Sequence, residues 1–426
     1  MKPKLLITTS TLPSDEHDPE PRFVLDLAFG LSRHFEVCVL APRHQGASET
    51  AAFGDVEVRR YAYAPRRWET LTYPGAILDR LRQRPARWGL APLLLAGLYR
   101  HTRHLLASRK FACVHAHWLV PQAAVQSLFA PSRLRTPYIG VAHGADVYAM
   151  NGIAGAAMLR RAVSEASGIV AASRPLVATL RERFPAQMAR RPTAVIGMGV
   201  DTQKFSPAAR GKDANPFSGL RRPLILYVGR LSEKKGIAFL LRAMAVEPLK
   251  SLAASLAIIG SGPLDQSLKA LCKEMSLGDR VHFYPACAHD SLAEYIAAAD
   301  LLCVPSVTAR DGNQEARPTV LVEAAACGVA AVASDVGGIG DWIDDGLNGR
   351  LVPPSDPAAL SYALADLLRQ PERMQQMGRV ARQKALDQSW SAVADRYAEF
   401  TLDAIGRRLH EPPSQAEMLT ARERRP

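Results

Sequence analysis

The sequence predicts an α/β protein made of two doubly wound domains, each with a parallel β-sheet covered by helices on both faces. Short apolar runs alternate along the chain with stretches of helical periodicity, which is the pattern of strands joined by crossover helices. The runs are apolar almost throughout, as expected of buried parallel strands. Residues 206–222, rich in Pro, Gly, Lys and Asn, separate two series of runs and predict a linker between the domains.

The first series of runs predicts seven strands within residues 1–205, the N-terminal domain. They are Leu5–Thr9, Val37–Leu40, Val56–Val58, Ala112–His115, Tyr138–Val141, Ile169–Ala172 and Ala194–Ile196. The second series predicts six strands within residues 206–388, the C-terminal domain. They are Leu224–Val228, Leu256–Ile259, Val281–Phe283, Leu301–Val304, Ala330–Ala333 and Leu351–Val352. Apolar residues at helical spacing predict a final helix over 389–410, and the polar residues 411–426 are expected to form a frayed tail.

Charge is distributed unevenly between the two halves of the 426-residue chain. The formal net charge is +12, and residues 1–200 hold 26 Lys and Arg against 14 Asp and Glu, which accounts for the whole excess. Within that half, residues 59–110 carry 12 basic side chains against Glu69 and Asp79, together with Trp68 and Trp88. Basic and aromatic residues in one segment are typical of a surface that contacts an anionic membrane. A solvated helix face is the alternative, and nucleic-acid binding is not expected because no recognition motif accompanies the charge.

The chain is expected to be cytoplasmic, with a location at the inner face of the membrane left open. No apolar run approaches the roughly 20 residues needed to span a bilayer. The first ten residues contain only a short apolar segment, which predicts a strand rather than a signal peptide. The six cysteines form no C-x-x-C pair and fall mostly in apolar runs, which fits buried free thiols in a reducing compartment.

The most informative segment is DGNQEARPTVLVEAAACGVAAV, residues 311–332, in which Glu315 and Glu323 lie eight positions apart. Pro318 and Gly328 predict a helix from about Pro318 to Cys327. That helix is apolar almost all round, so Glu323 should be buried and must have hydrogen-bond partners. The two hydroxyls of a ribose would suit it, because an ionised carboxylate only accepts hydrogen bonds. An internal pair with an Arg is the alternative. The start of the helix would attract an anion such as a phosphate.

A second candidate site follows the first strand of the C-terminal domain, in the sequence GRLSEKKG at 229–236. A strand, a Gly turn, and then Arg230 and Lys235 entering a helix would suit a diphosphate, because Arg can grip phosphate oxygens in a bidentate manner and Lys supplies a compact charge. A solvated basic turn is the alternative. Gly260 and Ser306 directly follow two further predicted strands and should lie at the same edge of the sheet.

These motifs together resemble the C-terminal half of the retaining glycosyltransferases of family 4, which have the GT-B fold of two Rossmann-like domains facing across a cleft. The family frame is E-G-x-P-x-x-x-x-E, preceded by G-R-x-x-x-x-K-G and followed by G-G-x-P-E. The N-terminal half resembles the family in the segments HAHW at 115–118, HGAD at 143–146 and VIGMGVDTQKF at 195–205. The resemblance covers roughly residues 1–400 and is weakest over 45–110. It also implies that the final helix crosses back to the first domain.

The chain departs from the family pattern in four places. Ala316 replaces a Gly, Gly340-Asp341 replaces Pro-Glu, and Gly197-Met198 replaces Pro-Asn. The Gly-rich loop after the first strand is replaced by the longer Thr9–Arg22 segment, which is rich in Pro and acidic residues. This last segment falls where the family binds the acceptor.

The resemblance implies transfer of a sugar from a nucleoside diphosphate to a hydroxyl of a glycan or lipid-linked acceptor, with retention. Glu315 would contact the donor sugar, and His143 would face it from the opposite domain. Arg230, Lys235 and the start of the Glu323 helix would stabilise the leaving diphosphate. No metal is expected, since these groups supply the positive charge and the chain lacks a D-x-D motif. The other residues expected to bind the donor are Gly229, Gly260, Ser306, Arg317, Pro318, Thr319 and Val320.

Other activities are also conceivable on this sequence. A dinucleotide-dependent oxidoreductase fails, because Gly260-Ser261-Gly262 has Asp265 where the fingerprint needs its third Gly. A sugar-nucleotide epimerase of the same fold would release an altered sugar without an acceptor. A phosphorylase of the pyridoxal type would need a Schiff-base lysine, and Lys234 and Lys235 lie in a different context. A non-catalytic role in binding a sugar nucleotide is a further alternative.

Overall fold

The computed structural model of the chain describes residues 2–15, 18, 20–73, 75, 77–211 and 216–410. Within this part it contains two β-sheets, each covered by helices, as the sequence predicts. The predicted tail, residues 411–426, lies outside the described residues.

The first sheet has eight strands in the order β3-β4-β2-β1-β5-β6-β7-β8, all parallel except for the antiparallel β3–β4 pair. Its strands are β1 (Lys4–Thr8), β2 (Glu36–Pro42), β3 (Thr50–Phe53), β4 (Val56–Tyr61), β5 (Cys113–His117), β6 (Tyr138–Ala142), β7 (Gly168–Ala171) and β8 (Thr193–Val195). The strand order reverses between β1 and β5. Ligands of such sheets bind at the carboxyl ends of the strands beside that reversal.

The second sheet has six strands in the order β11-β10-β9-β12-β13-β14, and every pair is parallel. Its strands are β9 (Leu224–Val228), β10 (Ser255–Ile259), β11 (Val281–Tyr284), β12 (Leu301–Val304), β13 (Ala331–Ser334) and β14 (Arg350–Val352). This is the dinucleotide-fold order, with its reversal between β9 and β12. The carboxyl ends of β9 and β12 therefore lie next to each other at the edge of the sheet where a ligand would bind.

Helices cover both faces of each sheet. They are α1 (Phe23–Leu31), α2 (Ile77–Gln83), α3 (Leu90–Ser108), α4 (Ala124–Gln126), α5 (Ala145–Tyr148), α6 (Ile153–Glu165), α7 (Arg174–Arg183), α8 (Pro185–Met188), α9 (Ile237–Met244), α10 (Asp265–Glu274), α11 (His289–Ala298), α12 (Thr319–Ala326), α13 (Pro357–Leu368), α14 (Pro371–Leu386) and α15 (Trp390–His410). Successive residues of a strand point to opposite faces, so Leu6 of β1 joins one apolar core and its neighbours Leu5 and Ile7 join another.

The last helix, α15, packs against α1 of the first sheet's domain, as the family resemblance implies. Its buried Thr401 hydroxyl lies 2.8 Å from His115 Nε2 on β5, and Asp395 pairs with Arg33 at 2.7 Å. The C-terminal end of the chain is thereby fixed to the N-terminal sheet. Among the described residues, no helix is both long and apolar enough to cross a membrane.

Two features of the first sheet differ from the sequence-based expectation. β3 was not predicted, because its sequence TAAF is half-exposed and antiparallel at the sheet edge, where an apolar run is not required. β5 extends two residues past the predicted run and includes His117 as well as His115, and both histidines are fully buried. Burial lowers the pKa of His115 to about 3, so this imidazole is neutral and packs under α15.

Candidate functional site

The reversal point of the second sheet is formed by the turns after β9 and β10, where two glycines are in close contact. Gly229 and Gly260 have φ angles of 152° and 153°, and the Gly229 amide donates to the Ile259 carbonyl at 3.0 Å. A Cβ on Gly260 would overlap the Gly229 carbonyl, so no side chain fits there. Glycine at position 260 therefore lets the turns after β9 and β10 pack directly against each other.

Glu315 lies beside this edge and is ion-paired with two lysines. Its Oε1 lies 3.1 Å from Lys234 Nζ and 3.2 Å from Lys235 Nζ, and Glu315 is only 5% exposed. Burial alone would raise the pKa of Glu315, but the two ammonium groups outweigh it and lower the pKa to about 2. Burial lowers the pKa of Lys235, and Glu315 opposes that change.

The loop after β12 closes the other side of the same edge. The Val307 amide donates to the Lys234 carbonyl at 2.8 Å, which places Ser306 next to the lysine pair. Ser306 is fully buried, and its hydroxyl has no partner among the described residues. Gly236 follows with φ 65°, and a Cβ there would overlap the Pro305 carbonyl. Gly229, Arg230, Lys235, Gly260 and Ser306, which the sequence predicted as one site, thus lie at one edge of the sheet.

The helix between the two glutamates is α12, with Pro318 at the N-cap position and Thr319 as the first helical residue. No side chain of the described part of the chain caps this helix. Its first N–H groups, including those of Thr319 and Val320, are therefore available to an anion. The sequence placed Pro318 inside the helix, whereas its extended ψ of 128° puts it one position before.

Glu323 projects from α12 into a cleft between the two domains. It is 8% exposed, and its Oε1 lies 3.4 Å from His289 Nε2. No Lys or Arg of the described residues pairs with it, so the predicted alternative of an internal Arg pair is not observed. The cleft has an empty volume of about 380 Å³, open to solvent. The residues that line it are Pro21, Arg22, Phe23, Asp26, Gly199, Val200, Asp201, Phe205, His289, Thr319, Glu323 and Trp390.

His143 follows β6 of the first sheet and is held by two kinds of contact. Asp146 accepts hydrogen bonds from the His143 amide at 3.0 Å and the Gly144 amide at 2.9 Å, which fixes the turn. The imidazole lies 3.1 Å from His117 Nδ1 and against the rings of Phe23 and Trp118. Burial lowers the pKa of His143 to about 3, so the ring is neutral at physiological pH.

The two domains meet at this site. A Cβ on Gly144 would come within 3.1 Å of the Ala316 Cβ, so the His143 turn touches the loop that carries Glu315. Arg174, after β7, pairs with Asp341 of the second domain at 3.1 Å. Arg82 pairs with Asp311 at 2.5 Å. The predicted residues of both domains are therefore brought together in a closed arrangement.

Arg230 extends from the second domain to the first. A Cβ on Gly75 would lie 2.6 Å from Arg230 Nη1. The Gly75 amide donates to Glu20 Oε1 at 2.5 Å, and the positive charge of Arg230 acts on that carboxylate. Burial raises the pKa of Glu20 despite these contacts. Glu20 belongs to the unusual Thr9–Arg22 segment, so a carboxylate of the first domain shares the cation that the sequence assigned to the diphosphate.

The sequence did not indicate a role for Glu20 or His289. Arg317 was expected to contact the donor through its backbone, with no separate role for its side chain. Glu20 was one of several acidic residues in a segment without a motif, and nothing in the sequence marked it out. His289 opens α11 after β11, so its position at a strand's carboxyl end was a usable signal. The Arg317 side chain does not line the cleft beside Glu323 but faces the end of β8.

Comparison of the sequence with known families gives two adjoining matches. Residues 21–204 match Glycosyltransferase Family 4, and residues 212–384 match Glycosyl transferases group 1. Together they span most of both domains.

Two relatives show how far the similarity extends. D-inositol 3-phosphate glycosyltransferase 1 of Catenulispora acidiphila is 32% identical over 320 residues, 71% of this chain and 74% of the relative. The GDP-mannose-dependent alpha-(1-6)-phosphatidylinositol monomannoside mannosyltransferase of Mycolicibacterium smegmatis is 32% identical over 206 residues, 47% of this chain and 54% of the relative. The match thus spans only about half the length of this second relative.

A solved structure matches nearly the whole chain. The Anabaena protein HepE, in complex with UDP and glucose, superposes with a TM-score of 0.71 at 19% identity, covering 94% of this chain and all of HepE. At this identity the match concerns the fold, and it confirms the predicted GT-B arrangement of two Rossmann-like domains.

Proposed function

Because the chain belongs to glycosyltransferase family 4, we propose that it transfers a sugar from a nucleoside-diphosphate sugar to a hydroxyl group of a glycan or lipid-linked acceptor. The observation that carries this proposal is the concentration of positive charge at the reversal point of the second sheet. Arg230, the lysine pair around Glu315 and the uncapped start of α12 all lie at that edge. They surround the place where a departing diphosphate would accumulate charge.

In this proposal the site works by electrostatic stabilisation of the leaving group. Bond breaking places negative charge on the diphosphate, and preorganised cations and amides lower the energy of that state. Lys235 is held in place by its ion pair with Glu315, so it needs little reorganisation when the charge develops. These groups would do the work that a metal ion does in other transferases, and activity in the presence of a chelator would support that assignment.

We also propose that the sugar is transferred with retention. Glu315 is the acidic side chain expected nearest the sugar, and it is engaged by two lysines with its pKa lowered to about 2. A carboxylate so paired is a poor nucleophile, which favours a reaction on one face of the sugar in which the leaving phosphate takes the acceptor proton. The neutral His143 would contribute a hydrogen bond to a sugar hydroxyl rather than a charge. Measuring the anomeric configuration of the product by NMR tests this step.

The donor can be identified by thermal stabilisation with a panel of UDP, GDP and ADP sugars. A ligand at 100 times its dissociation constant adds about 2.7 kcal/mol to the folded state, which a melting curve resolves. One relative is named as GDP-mannose-dependent and HepE has also been solved with UDP-glucose, so GDP-mannose and UDP-glucose are the first two donors to test. We expect one nucleotide series to raise the melting temperature. If none does so at millimolar concentration, the proposed donor class is wrong.

Glu323→Ala should weaken binding of the nucleotide without unfolding the protein. Hydrogen bonds to a charged group are worth about 1.5–3 kcal/mol, so the loss of the ribose contacts should raise the dissociation constant roughly 10- to 100-fold. Isothermal titration calorimetry with the nucleoside diphosphate measures this change. Glu274→Ala, an exposed carboxylate on α10, serves as the matched control. Equal affinity for wild type and Glu323→Ala would show that the ribose lies elsewhere.

We further propose that the N-terminal domain contacts an anionic membrane through a basic aromatic surface, defined by Arg66, Arg67, Trp68, Trp88 and Leu93. Trp68 is 52% exposed and Trp88 is 60% exposed, which is unusual for so large a side chain. Glu69 does not neutralise this surface, because it is buried and paired with Arg43 at 2.7 Å. Exposed rings beside arginines match the interface between lipid headgroups and acyl chains. A protein bound to the membrane through this surface would have access to a lipid-linked acceptor.

Replacing Trp68 and Trp88 together by serine should reduce binding to vesicles that contain anionic lipid. Each basic residue near such a surface contributes about 1 kcal/mol, so Arg66→Glu with Arg67→Glu should reduce binding further. Co-sedimentation with phosphatidylglycerol and phosphatidylcholine vesicles measures both effects. We expect the wild-type protein to bind the vesicles that contain anionic lipid and not those made of phosphatidylcholine only. No binding, or equal binding by the variants, would contradict the assigned surface.

A further inference from the structure

Arg317 lies between the two glutamates in sequence, but its side chain turns away from the donor cleft. Its guanidinium is stacked over Trp342, with 5.9 Å between Cζ and the ring centroid. Nε and Nη2 are buried and have no hydrogen-bond partner among the described residues. The negative charge of Asp341 acts on Arg317, but this carboxylate is paired with Arg174, through the Arg174 side chain at 3.1 Å and its amide at 2.5 Å. Burial and the neighbouring Arg396 lower the pKa of Arg317 to about 10.

The space that the guanidinium occupies is opened by Gly197, at the end of the first domain. A Cβ built on Gly197 would overlap Arg317, and its three nearest atoms are Nη2, Cζ and Nε of that residue. The Gly197 backbone does not lie in the left-handed region, so its conformation does not itself require glycine. Glycine is needed there because of Arg317. The sequence departs from the family at this position, where Pro is usual.

Three segments of the chain converge on this guanidinium. They are the segment after β13 with Trp342, the segment after β8 with Gly197, and α15, whose Arg396 and Tyr397 interact electrostatically with Arg317. Trp390, at the start of α15, packs on Gly199, where a Cβ would lie 2.6 Å from the ring. The guanidinium therefore sits where the first domain passes into the linker and where α15 returns to it.

A buried cation without an ion pair is costly to the folded state, so Arg317 is poorly explained as a stabilising residue. Its stacking on Trp342 recovers only part of that cost. Ala316, the residue before Arg317 in the same loop, contacts Gly144 of the first domain, and Glu315 is the residue before Ala316. A movement of Arg317 would therefore displace both Ala316 and Glu315.

We propose that Arg317 is a positioning residue: by filling the gap at Gly197 it fixes the closed arrangement of the two domains and, through its loop, the position of Glu315. This inference rests on the proposed transfer for its catalytic consequence, but not for its conformational one. Displacement of reacting groups by about 1 Å can cost as much as 10²-fold in rate. The residue would therefore affect turnover more than nucleotide affinity.

Two substitutions displace the guanidinium by different routes. Arg317→Ala removes it, and Gly197→Ala forces it out while leaving the arginine in the chain. If both act through the same contact, the double variant should behave like either single variant. Arg310→Ala is the matched control, because this arginine belongs to the same segment after β12 but its side chain is 94% exposed.

Small-angle X-ray scattering of the unliganded proteins tests the conformational part without any substrate. We expect Arg317→Ala, Gly197→Ala and the double variant to show the same increase in radius of gyration, with Arg310→Ala like wild type. An unchanged radius in both single variants would overturn the proposal, whether or not the protein is a transferase. Matching melting temperatures would show that the variants remain folded.

Kinetics with the donor found by thermal stabilisation tests the catalytic part. We expect kcat to fall about 10- to 100-fold in each of the three variants, with the nucleotide dissociation constant changed less than about twofold. Multiplied losses in the double variant, or a loss confined to KM, would overturn the assigned role. If wild type neither binds nor turns over a sugar nucleotide, the proposed function fails while the scattering result still decides the inference.

Discussion

Lys235→Ala should lower the rate of sugar transfer by about 10²–10³-fold, the usual cost of removing one preorganised group that stabilises a developing negative charge. Lys235 is largely buried beside the Gly229 turn, where its ammonium group is held by the ion pair with Glu315. The protein should remain folded, because Lys234 still pairs with Glu315 at 3.1 Å. Initial rates at saturating donor measure the effect.

Lys273→Ala, on the exposed face of α10, is the control for loss of a lysine remote from the cleft. Binding of the intact nucleotide sugar should weaken less than turnover, because the negative charge on the diphosphate grows between the bound donor and the transition state. Lys235→Ala with full turnover would remove this lysine from the mechanism.

Glu315→Ala should abolish transfer and should also destabilise the protein, which the sequence alone did not predict. Because Glu315 is buried and paired with two ammonium groups, its removal leaves Lys235 without its counterion. Breaking a buried pair from one side costs about 3–5 kcal/mol. Urea denaturation measures the free energy of unfolding. Lys235→Met combined with Glu315→Ala should recover part of the stability that Glu315→Ala loses.

The pH dependence of stability provides an independent test of the same ion pairs. The pKa of Glu315 is lowered from 4.5 to about 2 in the folded protein, so its contribution is complete above pH 4.5 and is lost as the pH falls through 2. We expect wild type to be more stable than Glu315→Gln by an amount on the order of 3 kcal/mol at pH 7. The difference should disappear between pH 4.5 and 2. A difference that is constant over this range would mean that the pair is not formed.

Much of the fold could be predicted because parallel strands buried on both faces must be apolar throughout. Every parallel strand of both sheets coincides with a predicted run, whereas the antiparallel edge strand β3 could not be recognised from TAAF. The residues at the reversal point of the second sheet could also be predicted, since residues that closely follow neighbouring parallel strands must lie at the same edge of the sheet. Gly229, Gly260 and Ser306 lie at that edge, as expected.

Contacts between the domains could not be predicted, because they depend on how two rigid sheets are placed rather than on local pattern. No local pattern relates Glu20 to Arg230 or Gly197 to Arg317, which are 210 and 120 positions apart by their numbering. The sequence did show Gly197 as a departure from the family. Only the structure relates that departure to the guanidinium that occupies the space.

A crystal structure with the nucleoside diphosphate bound would show whether the nucleotide occupies the proposed site. We expect the ribose hydroxyls to lie within hydrogen-bond distance of Glu323, with His289 displaced or sharing the carboxylate. We also expect the diphosphate oxygens to lie against Arg230, Lys235 and the first amides of α12. A nucleotide bound elsewhere, or Glu323 held by His289 with no sugar in reach, would contradict the proposed site.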